Sequence, residues 1–166
     1  MLSHRVFETT DIHRVLNMKL REIDQIEVIG STGLPVREAI EFSIHASSMV
    51  YVIEKEEKIV GVWGYVGIGA EGFCVPWLLQ SAALLEDKRD RISFARESAL
   101  VVDELFKMCP FMFNFVSTEN EEAQEWLRWL GFKVHDHKVI YLHSNSPFFM
   151  FTKGETSCAT QLLRLQ

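Results

Sequence analysis

The sequence lacks the features that mark several specialised classes of protein. Its three cysteines form no CxxC pair, and its 17 basic residues are outnumbered by 23 acidic ones. A net charge of -6 provides no general basic face for nucleic-acid phosphates, so we expect no nucleic-acid partner. No apolar run approaches the ~20 residues of a membrane span, and the first residues show no signal-peptide pattern. We therefore expect free thiols, no membrane span and synthesis in the cytoplasm.

What is present is typical of one globular domain. Apolar residues make up 48% of the 166 residues and charged residues 24%, without a repeat, a linker or a low-complexity stretch. We predict a single domain over residues 1–152. Residues 153–166 are expected to form a loosely held tail or a short docking helix.

The order of elements predicts the fold class. Apolar residues repeat at steps of three and four over 90–108, which predicts an amphipathic helix, and the apolar run 111–116 is typical of a central strand. The whole pattern is β-α-α-β-β-β-α-β-α-β-β. It predicts an α/β (α+β) fold with a mixed, mostly antiparallel sheet flanked by helices. A right-handed crossover should make the strands around 72–79 and 111–116 parallel.

Cap and turn residues predict several element boundaries. A helix starts after Thr9-Thr10-Asp11 and continues through Leu20, and Gly30 to Gly33 breaks that segment before a second helix at Pro35. Gly131 closes a helix that begins at Ser117. The residues expected to be largely buried are Leu105, Phe113, Trp126 and Phe132.

A histidine cluster provides the one candidate for metal binding. His135 and His137 share a face of a predicted strand, and His143 follows them. No third ligand has suitable spacing, and no HExxH or CxxC motif accompanies the pair. We interpret the segment as a hairpin with exposed histidines and expect no metal.

The segment from Asn120 to Phe132 resembles a motif of the GNAT N-acetyltransferases. The GNAT pattern N-x-x-A-x-x-hydrophobic-Tyr-x-x-hydrophobic-G-F is matched at six positions, among them Asn120, Ala123, Gly131 and Phe132. The order of elements resembles the GNAT fold as well. The resemblance implies acetyl-CoA as cofactor if the protein is an active acyltransferase.

A narrower resemblance covers roughly Leu20 to Lys153. It is to the GNAT-like proteins of phages and prophages that include internal virion protein A of short-tailed phages. It rests on the segments at Pro35–Ser43, Pro76–Leu79, Arg89–Arg96, Asn114–Asn120, Trp126–Phe132 and Pro147–Phe151. It implies a phage-encoded protein of the host cytoplasm or the virion, with other phage or host proteins as partners.

The stretch that would hold the cofactor departs from the GNAT pattern. GNAT enzymes bind the pyrophosphate on backbone N–H groups through Q/R-x-x-G-x-G/A, but residues 79–91 contain no glycine. Glu86, Asp87 and Asp90 also lie near the helix start, where carboxylates satisfy the dipole and repel anions. Three cations follow in this stretch: Lys88, Arg89 and Arg91. Two interpretations remain open for them, a solvated charged turn or a site that binds phosphate through the side chains.

The catalytic groups are also altered. The tyrosine that protonates the leaving thiolate in many GNAT enzymes corresponds to Leu127, which has no proton to donate. Tyr141 and Tyr65 are alternative hydroxyl donors. Glu71 is a candidate general base, although a turn residue is the simpler interpretation.

Two further positions concern the cofactor cleft. Asn120 is a helix N-cap or a cofactor contact, and we favour the cap. Pro76 suits a strand that splays from its neighbour, and we expect Trp77 to plug the resulting cleft.

These features of the sequence are compatible with two functions. The first is a GNAT-like protein without conventional acetyltransferase activity and without a cofactor, which acts through protein contacts. The second is an acetyl-CoA-dependent N-acetyltransferase with a degenerate cofactor loop.

Overall fold

A computed structural model describes residues 2–68, 72–140, 143 and 146–154 of the chain. These residues form five α-helices, and 3-10 turns at Thr9–Asp11 and Ala82–Leu84 precede α1 and α4. The helices are α1 (Ile12–Leu16), α2 (Glu22–Thr32), α3 (Val36–Ala46), α4 (Lys88–Met108) and α5 (Glu121–Trp129). The strands are β1 (Leu2–Val6), β2 (Met49–Lys55), β3 (Lys58–Ile68), β4 (Phe73–Gln80), β5 (Phe111–Ser117), β6 (Lys133–Ile140) and β7 (Pro147–Gly154).

The strands form one sheet in the order β1-β2-β3-β4-β5-β7-β6. Every neighbouring pair is antiparallel except β4 and β5, which are parallel and joined through α4. The predicted fold class is confirmed, and so is the parallel crossover. Among the described residues, no helix has both the length and the apolarity needed to cross a membrane.

The helices cover opposite faces of the sheet. Successive residues of a strand point to opposite faces, and β2 shows this with Val52 and Ile53, both fully buried. Val52 packs in a cluster with residues of α1, α2 and α3. Ile53 packs on the other face with Leu84 and with Phe94 of α4, whose ring stacks on Trp126 of α5.

The helices before β2 differ from the prediction. The chain leaves the helical conformation between α1 and α2, where Leu20 forms an isolated antiparallel bridge with Ser81. Gly30 therefore lies inside α2, and Gly33 ends that helix with a left-handed φ of 71°. The pairing of Leu20 with a residue 61 positions away outweighed the local helical pattern.

The predicted core is correct in part. Leu105 and Phe132 are buried, whereas Phe113 and Trp126 keep part of their surface exposed. The fully buried side chains of β5 are Met112 and the small Ser117 at the end of the strand. Phe111 and Met112 point to opposite faces of the central strand, and both are buried because both faces are covered. The alternation of side chains along the strand therefore did not predict which residue is most buried.

The expectation of free thiols is wrong for two of the three cysteines. Cys74 of β4 and Cys109, which follows α4, form a disulfide with a Cα–Cα distance of 5.8 Å. The crossover through α4 places β5 beside β4, and so it brings together two cysteines that no local motif pairs. Cys158 lies outside the described residues, as does the predicted tail from residue 155; β7 itself runs to Gly154.

Candidate functional site

The candidate site lies where β4 and β5 separate. The two strands pair only at Phe73 with Phe111 and at Cys74 with Met112, and then diverge. Pro76 lies at the start of the divergence and has no N–H to contribute to the ladder. The Asn114 side chain crosses the gap, donating from Nδ2 to the Pro76 carbonyl at 2.8 Å.

A cavity of about 350 Å³ occupies this gap. Residues of α4 and α5 line it on one side of the sheet and residues of α2 on the other. The size is at the lower end of the range for small-molecule sites. Its aromatic lining consists of Trp63, Trp77, Phe94, Phe115, Trp126, Phe132, Phe148 and Phe151.

Trp77 lines this cavity and does not plug it, so that expectation is wrong. Its indole packs against the cluster of α1, α2 and α3, and Nε1 donates to Ser47 Oγ at 2.8 Å. The hydrogen bond beyond the end of α3 holds the ring against one wall of the cavity. Sequence spacing could not predict this bond, because the two residues are 30 positions apart.

The N-terminus of α4 is capped by the chain itself. The Asp87 carboxylate accepts from the Arg89 N–H at 2.6 Å, and the Asp87 carbonyl accepts from the Arg91 N–H at 3.0 Å. The hydrogen bond from the Arg89 backbone lowers the pKa of Asp87. Asp90 is buried and pairs with Lys55 at 2.7 Å. Leu84, in the preceding turn, is fully buried.

The predicted phosphate-binding cations lie around this helix start. Lys88, Arg89 and Arg91 are all exposed, and Arg91 is the one of the three that lines the cavity. No ion pair involves any of them among the described residues. The structure therefore brings Arg91 to the site and leaves the other two on the outer surface.

The N-cap residue of α2 and two residues within that helix lie at the ends of the diverging strands, and we call these three residues, Arg21, Asp24 and Glu27, the α2 clasp. Arg21, the N-cap of α2, donates its N–H to the Gln80 carbonyl at the end of β4 at 3.1 Å. At the end of β5, Glu27 Oε1 accepts from the Ser117 N–H at 2.8 Å. The clasp thus spans the opening between the two strands.

The clasp also carries charge into the cavity. Arg21 pairs with Asp24 at 2.7 Å and with Glu122 of α5 at 3.0 Å. Burial raises the pKa values of Asp24 and Glu27, and each carboxylate is partly compensated, by Arg21 and by the Ser117 N–H respectively. Three carboxylates and two guanidinium groups, those of Arg21 and Arg91, line the cavity, so its formal charge is negative.

Asn120 is the N-cap of α5, as we favoured from the sequence. Its Oδ1 accepts from the Ala123 N–H at 3.2 Å, and its Nδ2 donates to Glu27 Oε1 at 3.0 Å. The residue is buried. Both ends of the side-chain amide are therefore bonded to other groups of the chain.

The position of the usual proton donor is apolar. Leu127 is buried and lines the cavity, next to Trp126. Of the two alternative hydroxyl donors, Tyr65 does not line the cavity and Tyr141 lies outside the described residues, as does Glu71, the candidate general base. Tyr141 and Glu71 stay predictions.

The histidine segment forms part of the edge strand β6. His135 Nε2 lies 2.9 Å from Thr152 Oγ1, and burial lowers the pKa of His135. His137 and His143 are exposed, and His143 contacts Gly33. No group of three potential metal ligands occurs among the described residues.

The clasp was missed in the sequence. The available signal was the set of three carboxylates, Glu22, Asp24 and Glu27, within two turns of one helix. Its partners at Gln80 and Ser117 are distant in sequence, and only the fold brings them to α2.

Comparison with solved structures identifies the fold as that of the GNAT N-acetyltransferases. The spermidine N-acetyltransferase from Vibrio cholerae, in complex with CoA and spermine, superposes with a TM-score of 0.64 at 15% identity, over 91% of this chain and 94% of that chain. A GNAT-family acetyltransferase from Streptococcus pneumoniae superposes with a TM-score of 0.64 at 11% identity, over 92% and 98% of the two chains.

A third similar structure has a different substrate. The ribosomal-protein-S18-alanine N-acetyltransferase from Escherichia coli superposes with a TM-score of 0.61 at 12% identity, over 92% of this chain and 93% of that chain. No family model and no curated protein matches the sequence. At such low identities the likeness establishes the fold, and function has to be argued from the site.

Proposed function

We propose that this GNAT-fold protein acts by binding and does not use acetyl-CoA in the way that the fold usually does. The observation that carries the proposal is the cap on α4. A pyrophosphate bound on backbone amides needs free N–H groups and close approach at the helix start. Asp87 already accepts from the Arg89 N–H, and the turn before it contains the buried Leu84 in place of glycine. These residues do not fit the ordinary cofactor anchor.

Two further features support the proposal. Three carboxylates face two guanidinium groups in the cavity, and the resulting negative formal charge disfavours an anionic ligand with several phosphates. Leu127 stands where many GNAT enzymes have their proton donor, and losing such a group typically costs 10²–10⁴-fold in rate. The capped helix start, the negative formal charge of the cavity and the missing proton donor each disfavour acetyl transfer from acetyl-CoA, and the three features are independent of one another.

We further propose that the partners are proteins, in keeping with the resemblance to phage internal virion proteins. Support comes from large apolar side chains on the outer side of the helical layer formed by α4 and α5. Leu100, Met108 and Trp129 are each more than half exposed. Exposed aromatic and Met side chains are enriched in the cores of protein interfaces. The proposed setting is the host cytoplasm or the virion.

The test is a calorimetric and thermal-shift titration of the purified protein with millimolar acetyl-CoA. A ligand at 100 times its Kd would add ~2.7 kcal/mol of stability. For a domain of this size that stabilisation would raise Tm by roughly 5–11 °C. We expect no saturable heat and no such shift. A saturable isotherm that Arg91→Ala removes and Arg96→Ala retains would contradict the proposal and indicate a side-chain phosphate anchor.

The second candidate function is acetyl transfer to a cationic amine. The observation that favours it is the cavity itself, which remains open between β4 and β5 and has negative formal charge, as a site for a cation would. One structural neighbour is a spermidine N-acetyltransferase in complex with spermine. The assay is release of free CoA thiol from acetyl-CoA with spermidine as acceptor. Turnover above the rate of a Glu27→Gln variant would favour this candidate over the first.

A further inference from the structure

The sheet consists of two halves that meet at one short seam. Strands β1 to β4 form one half, and β5, β7 and β6 form the other. The seam consists of two parallel residue pairs, Phe73 with Phe111 and Cys74 with Met112. Beyond it the cavity separates the strands, so movement at the seam would change the width of the cavity.

The disulfide lies at this seam. Cys74 belongs to one of the two seam pairs, and Cys109 lies two residues before Phe111, at the end of α4. The bond therefore ties β4 covalently to the start of β5. Leu105 accepts the Cys109 N–H at 2.8 Å and also lines the cavity. A change at the disulfide thus reaches the cavity wall through one helical turn.

The opposite end of the gap is closed by non-covalent bonds alone. There the α2 clasp holds the ends of β4 and β5 through Arg21 and Glu27. Burial raises the pKa of Glu27, whose Oε1 accepts from the Ser117 N–H and from Asn120 Nδ2. Without the disulfide, β4 and β5 would be joined by two residue pairs at one end, by the Asn114–Pro76 hydrogen bond across the gap, and by the clasp at the other end.

We infer that the Cys74–Cys109 pair is a redox switch that sets how far β4 and β5 separate and so controls access to the cavity. A thiol reductant supplies the two electrons. Its thiolate attacks one sulfur of the disulfide and releases the other cysteine as a thiolate; a second thiolate of the reductant then attacks the reductant's sulfur in the mixed disulfide and releases the remaining cysteine thiolate. Two protons complete the two cysteine thiols, and the reductant leaves as its own disulfide. This switch goes beyond the proposed function and does not depend on it.

The burial of the two cysteines indicates where the reductant attacks. Cys74 is 1% exposed within a strand, whereas Cys109 is 6% exposed and lies between Met108 and Pro110, both exposed. Local opening at the end of α4 therefore presents Cys109 first. Thiol–disulfide exchange depends on such access.

The tryptophans provide the readout. Trp63, Trp77 and Trp126 line the cavity, and Trp129 is 60% exposed. A Trp129→Phe background removes the exposed fluorophore, so acrylamide quenching of the remaining fluorescence reports access to the cavity. We expect the Stern–Volmer constant to rise when the protein is reduced with dithiothreitol, with the far-UV circular dichroism unchanged.

Matched variants test the assignment. In the same background, Cys158→Ala should keep the response to reductant, and the Cys74→Ala/Cys109→Ala double variant should show high quenching with and without it. If the double variant does not fold, the comparison of oxidised and reduced protein carries the test. Equal quenching of the two forms would overturn the inference. So would loss of secondary structure on reduction, or three free thiols in the unreduced, denatured protein.

Discussion

Replacing Asn120 by Ala should destabilise the protein far more than an ordinary polar-to-Ala substitution. The side chain caps α5 through the Ala123 N–H and donates to Glu27 of the α2 clasp, and it is buried. Loss of an N-cap typically costs ~1 kcal/mol. A buried carboxylate that loses a hydrogen-bond donor costs about 1–3 kcal/mol more. We expect a total decrease of about 2–4 kcal/mol in the free energy of unfolding.

The measurement is urea unfolding at pH 7, followed by circular dichroism. Asn17→Ala serves as the matched control, because Asn17 is exposed at the end of α1 and accepts no cap bond through its side chain. Its effect should lie within ~0.5 kcal/mol of zero. A double-mutant cycle of Asn120→Ala with Glu27→Gln should give a coupling energy of about 0.5–3 kcal/mol.

Two results would refute the reasoning about the clasp. One is a cost of Asn120→Ala no larger than that of the control. The other is a full cost with zero coupling to Glu27, which would leave Asn120 as a helix cap that does not connect α5 to α2.

Three other predictions concern single positions. Asp11→Asn should lower the free energy of unfolding at pH 7 by roughly 2 kcal/mol, because the pKa of Asp11 is lowered to about 2, chiefly by its hydrogen bond to Arg5. Because the pKa is lowered, this contribution is present above pH ~4 and is lost as the pH falls through about 2, so urea unfolding across that range should show the difference shrink. Met112→Ala should lower the free energy of unfolding by about 2–5 kcal/mol, because the side chain is fully buried. Phe113→Ala should lower it by less in the same unfolding assay, because Phe113 is only half-buried. Asp87→Ser should keep an N-cap, leave Tm almost unchanged, and strengthen binding of inorganic phosphate at low salt, as measured by calorimetry.

Local patterns predicted the fold well. The helical periodicity over 90–108 gave α4 to within two residues of its observed start at Lys88, because one amphipathic face repeats over five turns. Gly131 has a left-handed φ of 85° just beyond α5, as a C′ glycine should. The apolar run in β5 and the crossover through α4 sufficed to predict the parallel pair at the centre of the sheet.

The site was less accessible to sequence reasoning, since its contacts join residues far apart in the chain. Asn120 could be predicted as a cap, which is a local role, but its bond to Glu27 spans 93 residues. The same holds for the Trp77–Ser47 hydrogen bond and for the disulfide. Two expectations, the plugged cleft and the free thiols, failed at these non-local contacts. The loop before α4 lacks glycine, and this is a property of the local sequence. Its poor fit to a phosphate-binding loop could therefore be predicted without knowledge of any long-range contact.

The cap and the clasp share a physical consequence for the function of this fold. In each case a backbone N–H near the separated strands donates to a carboxylate of the chain: Arg89 to Asp87, and Ser117 to Glu27. An incoming anion would have to displace these carboxylates and then remain close to their negative charge, whereas a neutral or cationic ligand would not. The two bonds belong to different helices and depend on different sequence segments. Both bonds stabilise the fold, and each occupies a backbone N–H that an anionic ligand would otherwise meet. Under the function that we propose, the cavity therefore binds a ligand other than the usual anionic cofactor.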